Sequence, residues 1–167
     1  RFLGLVASPT SAAVQDFLRV SGERYPATRI LLAPAITQGA EAPSSVVRAM
    51  DLLLEDGRSE LIVVTRGGGS KEDLMAFQDE QLARFVARCP VPVVSAVGHE
   101  IDTTLIDLVA DVAVPTPTAA AVVTLPDGPA MTRMVDEAAT QLERGMQRRL
   151  ERDRQRLAAL KARLRHP

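Results

Sequence analysis

The sequence has no tryptophan, one tyrosine and four phenylalanines. So few rings argue against aromatic stacking as its main way of holding a ligand. It has one cysteine, Cys89, so no intramolecular disulfide can form, which fits a reducing, cytoplasmic setting. It has two histidines, His99 and His166, and no Cys/His spacing of the zinc-binding kind. No apolar run is long enough to span a bilayer, and no signal-peptide pattern is present, so no membrane partner is expected. There is no G-x-S-x-G nucleophile elbow, no Walker loop and no dinucleotide fingerprint.

What is present is ordinary in bulk and uneven in arrangement. Of 167 residues, 46% are hydrophobic and 25% charged, enough for one domain with a real core plus an extension. Residues 1–128 carry 10 basic and 16 acidic side chains, a net of −6; residues 129–167 carry 10 and 5, a net of +5. A polyanion would therefore be drawn to the tail. The chain opens on a strand-like run without Met and stops within a helical pattern, as expected of an excised piece of a longer protein.

Apolar strands alternate with amphipathic helices. "FLGLVAS", "ATRILLAPA", "ELIVVT" and "PVPVVSAVG" read as strands, the last with prolines only at its entrance, and "DVAV" as a fifth. Between them "SAAVQDFLRVSGERY", "SSVVRAMDLLLEDG" (Ser start, Gly stop), "KEDLMAFQDEQLARFVARC" and "TTLIDLVA" read as helices. "PTPTAAAVVTLP" follows as a loop and short helix. Fully apolar strands separated by helices predict an α/β fold: a Rossmann-like open sheet, mostly parallel, with helices on both faces. A long basic C-terminal α-helix follows. Its apolar positions, Val135, Ala138, Leu142, Met146 and Leu150, then Leu157, Leu160 and Leu164, give a short heptad pattern that suits either a coiled coil or a solvated terminal helix. The expected division is an α/β domain over residues 1–127 and the start of the helical region over 128–167.

Ligands of such sheets bind beyond the carboxyl ends of the strands. "SPTSA", "TRGGGS" and "VGHEID" should therefore converge there. In "TRGGGS", Gly67, Gly68 and Gly69 lead to Ser70, an expected N-cap with Asp73 as its capping partner. With Arg66 the loop reads either as a phosphate cradle or as a tight turn whose arginine pairs with a carboxylate. Glu72 and Asp73 weigh against an anion on the helix axis. His99 and Asp102 are spaced so that the carboxylate can orient the imidazole; alternatively Asp102 only caps the next helix. Ser8 and Thr10 suit a phosphate-contacting turn or a simple cap. Asp16 alone reads as surface charge or as a residue of the cleft. Glu100, Asp102 and Asp107 could supply oxygen ligands to a metal, though nothing compels one.

Taken together, "GLVASPTSAAVQDFL", "TRGGGSKEDLMAFQDEQLARFVARCPVPVVSAVGHEIDTTLIDLVAD" and "PTPTAAAVV", in that order and spacing, closely resemble the central domain of the exodeoxyribonuclease VII large subunit. The resemblance covers about residues 2–126, and the basic helix resembles the start of that family's helical region. It implies a nuclease that degrades single-stranded DNA from either end and releases oligonucleotides. It implies a small subunit as partner on the helical region, and an amino-terminal OB-fold domain that this chain does not contain. It carries activity onto Asp16, Arg66, His99 and Asp102. It commits to no cofactor and leaves Mg2+ open. Two positions depart from the family pattern: Ile101 stands where Thr is expected, and Gln78 where Asn is expected. Two readings stay beside the nuclease: a non-enzymatic sensor of a phosphorylated ligand, and a DNA-binding scaffold whose nuclease centre is completed by partners.

Overall fold

The computed structural model describes residues 2–67, 71–98 and 102–165, without the side chains of residues 71, 72, 164 and 165. The chain separates into two compact units, Arg1–Pro126 and Asp127–Pro167.

The first unit is an α/β layer structure. Its sheet has five strands in the order β2-β1-β3-β4-β5, with β1 Phe2–Ala7, β2 Arg29–Pro34, β3 Leu61–Thr65, β4 Val93–Ala96 and β5 Val112–Ala113. Every pairing is parallel, so the mostly parallel expectation becomes a wholly parallel sheet. Side chains alternate across it with period two. Leu3, Leu5 and Ala7 of β1 and Leu61 and Val63 of β3 pack on one side with Val14 and Phe17 of α1 (Ala12–Arg24) and with Ala120 and Ala121 of α6 (Pro117–Thr124). Val6, Ile62 and Val64 pack on the other with Val46 and Met50 of α2 (Ala42–Asp56) and Leu82 and Val86 of α4 (Glu80–Ala87). Burial on both faces is why β1, β3 and β4 lack a polar face, whereas the edge strands β2 and β5 are largely exposed.

Local chemistry sets the helix limits. Ser11 caps α1 by accepting from the Val14 amide at 3.4 Å. The expected Ser start of α2 is not its start: the helix begins two residues earlier, after Glu41, with Pro43 in its first turn, where a missing N–H costs nothing. Its Gly stop holds, with Gly57 in the left-handed region at φ 71°. The single helix expected over residues 71–89 is three pieces: α3 Lys71–Leu74, a 3-10 turn Met75–Gln78, and α4. Asp79 causes the break by turning extended and capping α4 through the Leu82 amide at 2.8 Å. A short α5, Leu105–Val109, precedes β5.

The second unit is one helix, α7, Gly128–Arg165, of 38 residues and about 57 Å at 1.5 Å per residue. Val135, Leu142, Met146, Leu150, Leu157 and Leu160 are all exposed along it. Among the described residues, no helix is long and apolar enough to cross a membrane.

Candidate active site

The strand order reverses direction between β1 and β3, and that is where crevices open at the carboxyl edge of such sheets. A cavity of about 190 Å³ lies there. Ala12, Ala13 and Asp16 of α1 line one side, and Arg66 and Gly67 after β3 another. Ala96, Val97 and Gly98 at the end of β4, with Pro115, Thr116 and Pro117, complete it.

Arg66 follows a strand whose five residues are all buried, and it is itself only 6% exposed. Its Nε donates to the Val97 carbonyl at 3.1 Å, which ties the exit of β3 to that of β4. Thr65 Oγ1 adds a longer link to the Ala96 carbonyl at 3.4 Å. Arg66 Nη1 is shielded from solvent and has no hydrogen-bond partner. No carboxylate pairs with the guanidinium among the described residues. A buried, unpaired cationic nitrogen is costly, and its missing acceptor is one that an ordered water or a ligand can supply.

Gly67 is not required by its backbone, because φ is not positive there. A Cβ at Gly67 would stand 3.4 Å from that of Ser11, an ordinary contact. Gly98 is different. A Cβ there would collide with Asp107 Oδ2 and stand 2.9 Å from the Asp102 carbonyl oxygen. The glycine of "VGHEID" is therefore needed for close packing at the end of β4.

Asp107 is the hub of that packing. Its carboxylate accepts from Ser95 Oγ at 2.5 Å, the Thr104 amide at 2.9 Å and Thr104 Oγ1 at 2.7 Å. Ser95 and Thr104 are buried at 0% and 1% exposure. Thr104 and Asp107 thus form the capping box of α5, so the cap once open to Asp102 belongs to them. The same bonds engage the Asp107 oxygens in structure rather than leaving them free for a metal. Gln78 reaches the same segment: its Oε1 accepts from the Leu105 amide at 3.0 Å and its Nε2 donates to the Thr103 carbonyl at 3.3 Å.

The structure therefore brings Asp16, Arg66, Gly67 and Gly98 together. Asp16 is 53% exposed at the side chain and lies 3.5 Å from Arg19. Asp102 is half-buried after the glycine of "VGHEID". Ser8 lines a neighbouring cavity instead, and Thr10 is exposed and lines neither. Gly68, Gly69, Ser70, His99, Glu100 and Ile101 lie outside the described residues, and with them the expected Ser70 cap and the His99–Asp102 contact. Among the described residues no three acidic, histidine or cysteine side chains gather as a metal site. The sequence reading missed the wall formed by Pro115–Pro117. Its signal was available: Thr116 before Pro117 is an N-cap followed by a first-turn proline, and Thr116 Oγ1 accepts from the Ala119 amide at 3.0 Å. It also missed Ser95, the one polar residue of a wholly buried strand.

The family model for exonuclease VII, large subunit, matches residues 1–167. The exodeoxyribonuclease 7 large subunit of Moorella thermoacetica is 46% identical over 160 residues, covering 96% of this chain and 40% of the relative. That of Pseudomonas putida is 46% identical over 165 residues, covering 99% and 36%. That of Alcanivorax borkumensis is 50% identical over 125 residues, covering 75% and 28%. The chain thus spans two fifths or less of the length of these relatives. With the match running through the switch-point pocket and on into the long helix, the chain belongs to the exonuclease VII large-subunit family.

Proposed function

We propose that residues 1–127 are the catalytic domain of a nuclease that hydrolyses phosphodiester bonds of single-stranded DNA from either end and releases oligonucleotides. The observation that carries this reading is Arg66: a buried guanidinium that lines the switch-point cavity, fixed through Nε, with a shielded Nη1 that has no hydrogen-bond partner. A phosphate oxygen is the natural acceptor for it. Gly67 supports the reading, because neither backbone strain nor crowding requires a glycine there, whereas a ligand approaching the backbone would.

In this mechanism Arg66 and the amides of Gly67, Gly68, Gly69 and Ser70 neutralise the non-bridging oxygens as charge builds on them. His99 acts as general base on the attacking water, or as acid for the leaving oxygen, with Asp102 orienting it. Asp16, at the exposed mouth of the cavity, polarises the water or holds a divalent cation. A magnesium ion, when bound, would stabilise the same charge as Arg66. Ser8 and Thr10 contact the flanking strand. Helix α7, long, basic and with its apolar residues exposed, receives the small subunit. An OB-fold domain elsewhere in the large subunit captures DNA, which fits the scarcity of aromatic residues here. The setting is the cytoplasm.

The test is degradation of an end-labelled single-stranded oligonucleotide by the whole large subunit with its small subunit. Wild type is run beside Arg66→Ala and His99→Ala, with magnesium and with EDTA. Short products lost in both variants, with DNA binding retained, support the reading. Cleavage at the wild-type rate by both overturns it and favours a binding module.

A further inference from the structure

The exit of β1 separates two cavities. On its β3 side lies the Arg66 pocket. On its β2 side lies a second cavity of about 380 Å³, between Ser8 and Pro9 on one wall and Pro34, Ile36, Thr37 and Gln38 on the other. The Arg66 pocket takes its strand-end residues from β3 and β4 and the second cavity from β1 and β2, so with strands about 4.8 Å apart the two lie about two strand spacings, roughly 10 Å, from each other.

The chemistry of the two differs. The Arg66 pocket holds a cation and a carboxylate. No lining residue of the second cavity is charged. Its floor is apolar and fixed: the Ala35 amide donates to the Ala7 carbonyl at 2.9 Å, and the Ile36 amide donates to buried Ser45 Oγ at 2.9 Å. That leaves the Ile36 side chain 48% exposed on a rigid backbone. The residues of its rim are polar and uncharged, with the Asp73 carboxylate behind Gln38 as the nearest charge that bonds to them. Gln38 Nε2 donates to Asp73 Oδ2 at 3.3 Å, and its carbonyl oxygen has no protein partner among the described residues. A phosphate would find no counter-charge here. A flat, neutral ring with donors and acceptors on its edge would find an apolar surface and an amide.

We propose that this cavity is a base subsite, holding a nucleobase of the strand whose phosphate is bound at Arg66. The proposal rests on the phosphate reading of Arg66. Hydroxyl and amide groups both donate and accept, so the subsite accepts any of the four bases and positions the strand without selecting its sequence.

The experiment uses single-stranded oligonucleotides in which one abasic tetrahydrofuran residue is moved a position at a time. They are cut by the whole large subunit with its small subunit, and product lengths are read on a denaturing gel. Cleavage is expected to fall about tenfold at one phosphate only, on one side of the abasic residue, the scale of one lost base contact. Ile36→Ser is expected to slow cleavage of natural DNA by the same factor and to have no further effect at the abasic-flanked bond. Gln38→Ala should do so more weakly, and thermal melting checks that both variants fold. A flat abasic profile overturns the subsite, as does an Ile36→Ser loss that is equal at natural and abasic bonds. Arg66→Ala run on the same substrates separates the two ideas: a flat profile with inactive Arg66→Ala removes only the subsite, whereas active Arg66→Ala removes the phosphate reading and this proposal with it.

Discussion

Replacing Arg66 with methionine separates the two roles open to a buried arginine. As a structural brace, its loss would cost about 3–5 kcal/mol, as when one partner of a buried ion pair is removed. As a cation held for a ligand, it is itself a burden on the free protein. The geometry favours the second role: one hydrogen bond at Nε, an unpaired and shielded Nη1, and no carboxylate partner among the described residues. Methionine keeps much of the aliphatic stem and fills irregular space. It gives up the Nε bond, roughly 1.5–3 kcal/mol for a charged donor. It also relieves the desolvation of an unpaired charge, on the order of several kcal/mol. The two nearly cancel, so Arg66→Met is expected within about 1 kcal/mol of wild type, or more stable. Urea unfolding followed by circular dichroism measures this. DNA degradation should fall about 10²–10³-fold in the same variant, as when one preorganised donor to a transition state is removed. A loss of 3 kcal/mol or more would refute the reasoning by making Arg66 a brace, and full activity would refute it from the other side.

Asp107→Ala removes three hydrogen bonds and leaves the donors of Ser95 and Thr104 buried, so a loss of about 3–5 kcal/mol is expected in thermal unfolding. Ser95→Ala combined with it should cost less than the sum of the two, because the residues share a bond. Gln78→Ala loses the clamp on residues 103–105 from an exposed position; about 1 kcal/mol of stability and a larger fall in kcat than in DNA affinity are expected, and equal losses in both would count against a positioning role. Burial pushes the Cys89 thiol above its ordinary value, reinforced by the Asp111 carboxylate and opposed by a backbone hydrogen bond at Val91. The folded protein therefore keeps that proton where the unfolded chain releases it, and stability falls as pH rises above about 8.5 toward the raised folded value. In urea titrations from pH 8 upward, Cys89→Ala should lack this part of the slope.

Strands and their common edge were legible because apolar runs bounded by helical periods carry a strong signal. The meeting of Arg66 and Gly67 with the end of β4 followed from topology alone. The break at Asp79 was not legible, because "KEDLMAFQDEQLARFVARC" keeps an apolar stripe across a residue that turns out to cap a new helix. The start of α2 was misplaced because Ser44 and Ser45 look like caps; the structure uses Ser45 to hold the Ile36 amide instead. Asp102 and Asp107 could not be told apart as caps from spacing, since both lie near the start of α5. Only the contacts with Ser95 and Thr104 separate them. Pro115–Pro117 were read as a connector because a loop wall has no periodicity to betray it.

The topology also explains how a carboxylate and a guanidinium share one pocket without neutralising each other. The direction in which successive strands are added reverses between β1 and β3, and the helices that follow them pack on opposite faces: α1 with Leu3 and Leu5, α4 with Val64 and Phe77. Asp16 therefore approaches from a helix at the solvent side, where it lies beside Arg19 at 3.5 Å. Arg66 approaches from a strand end, held down by the Val97 carbonyl. Had they met, the cavity would contain a closed ion pair with nothing left for a ligand. Held apart, the cation at the base suits an anion, and the acid at the mouth suits a water or a cation bound to that anion. That polarity suits the phosphodiester hydrolysis proposed for this site, and it arises from which element carries each charge.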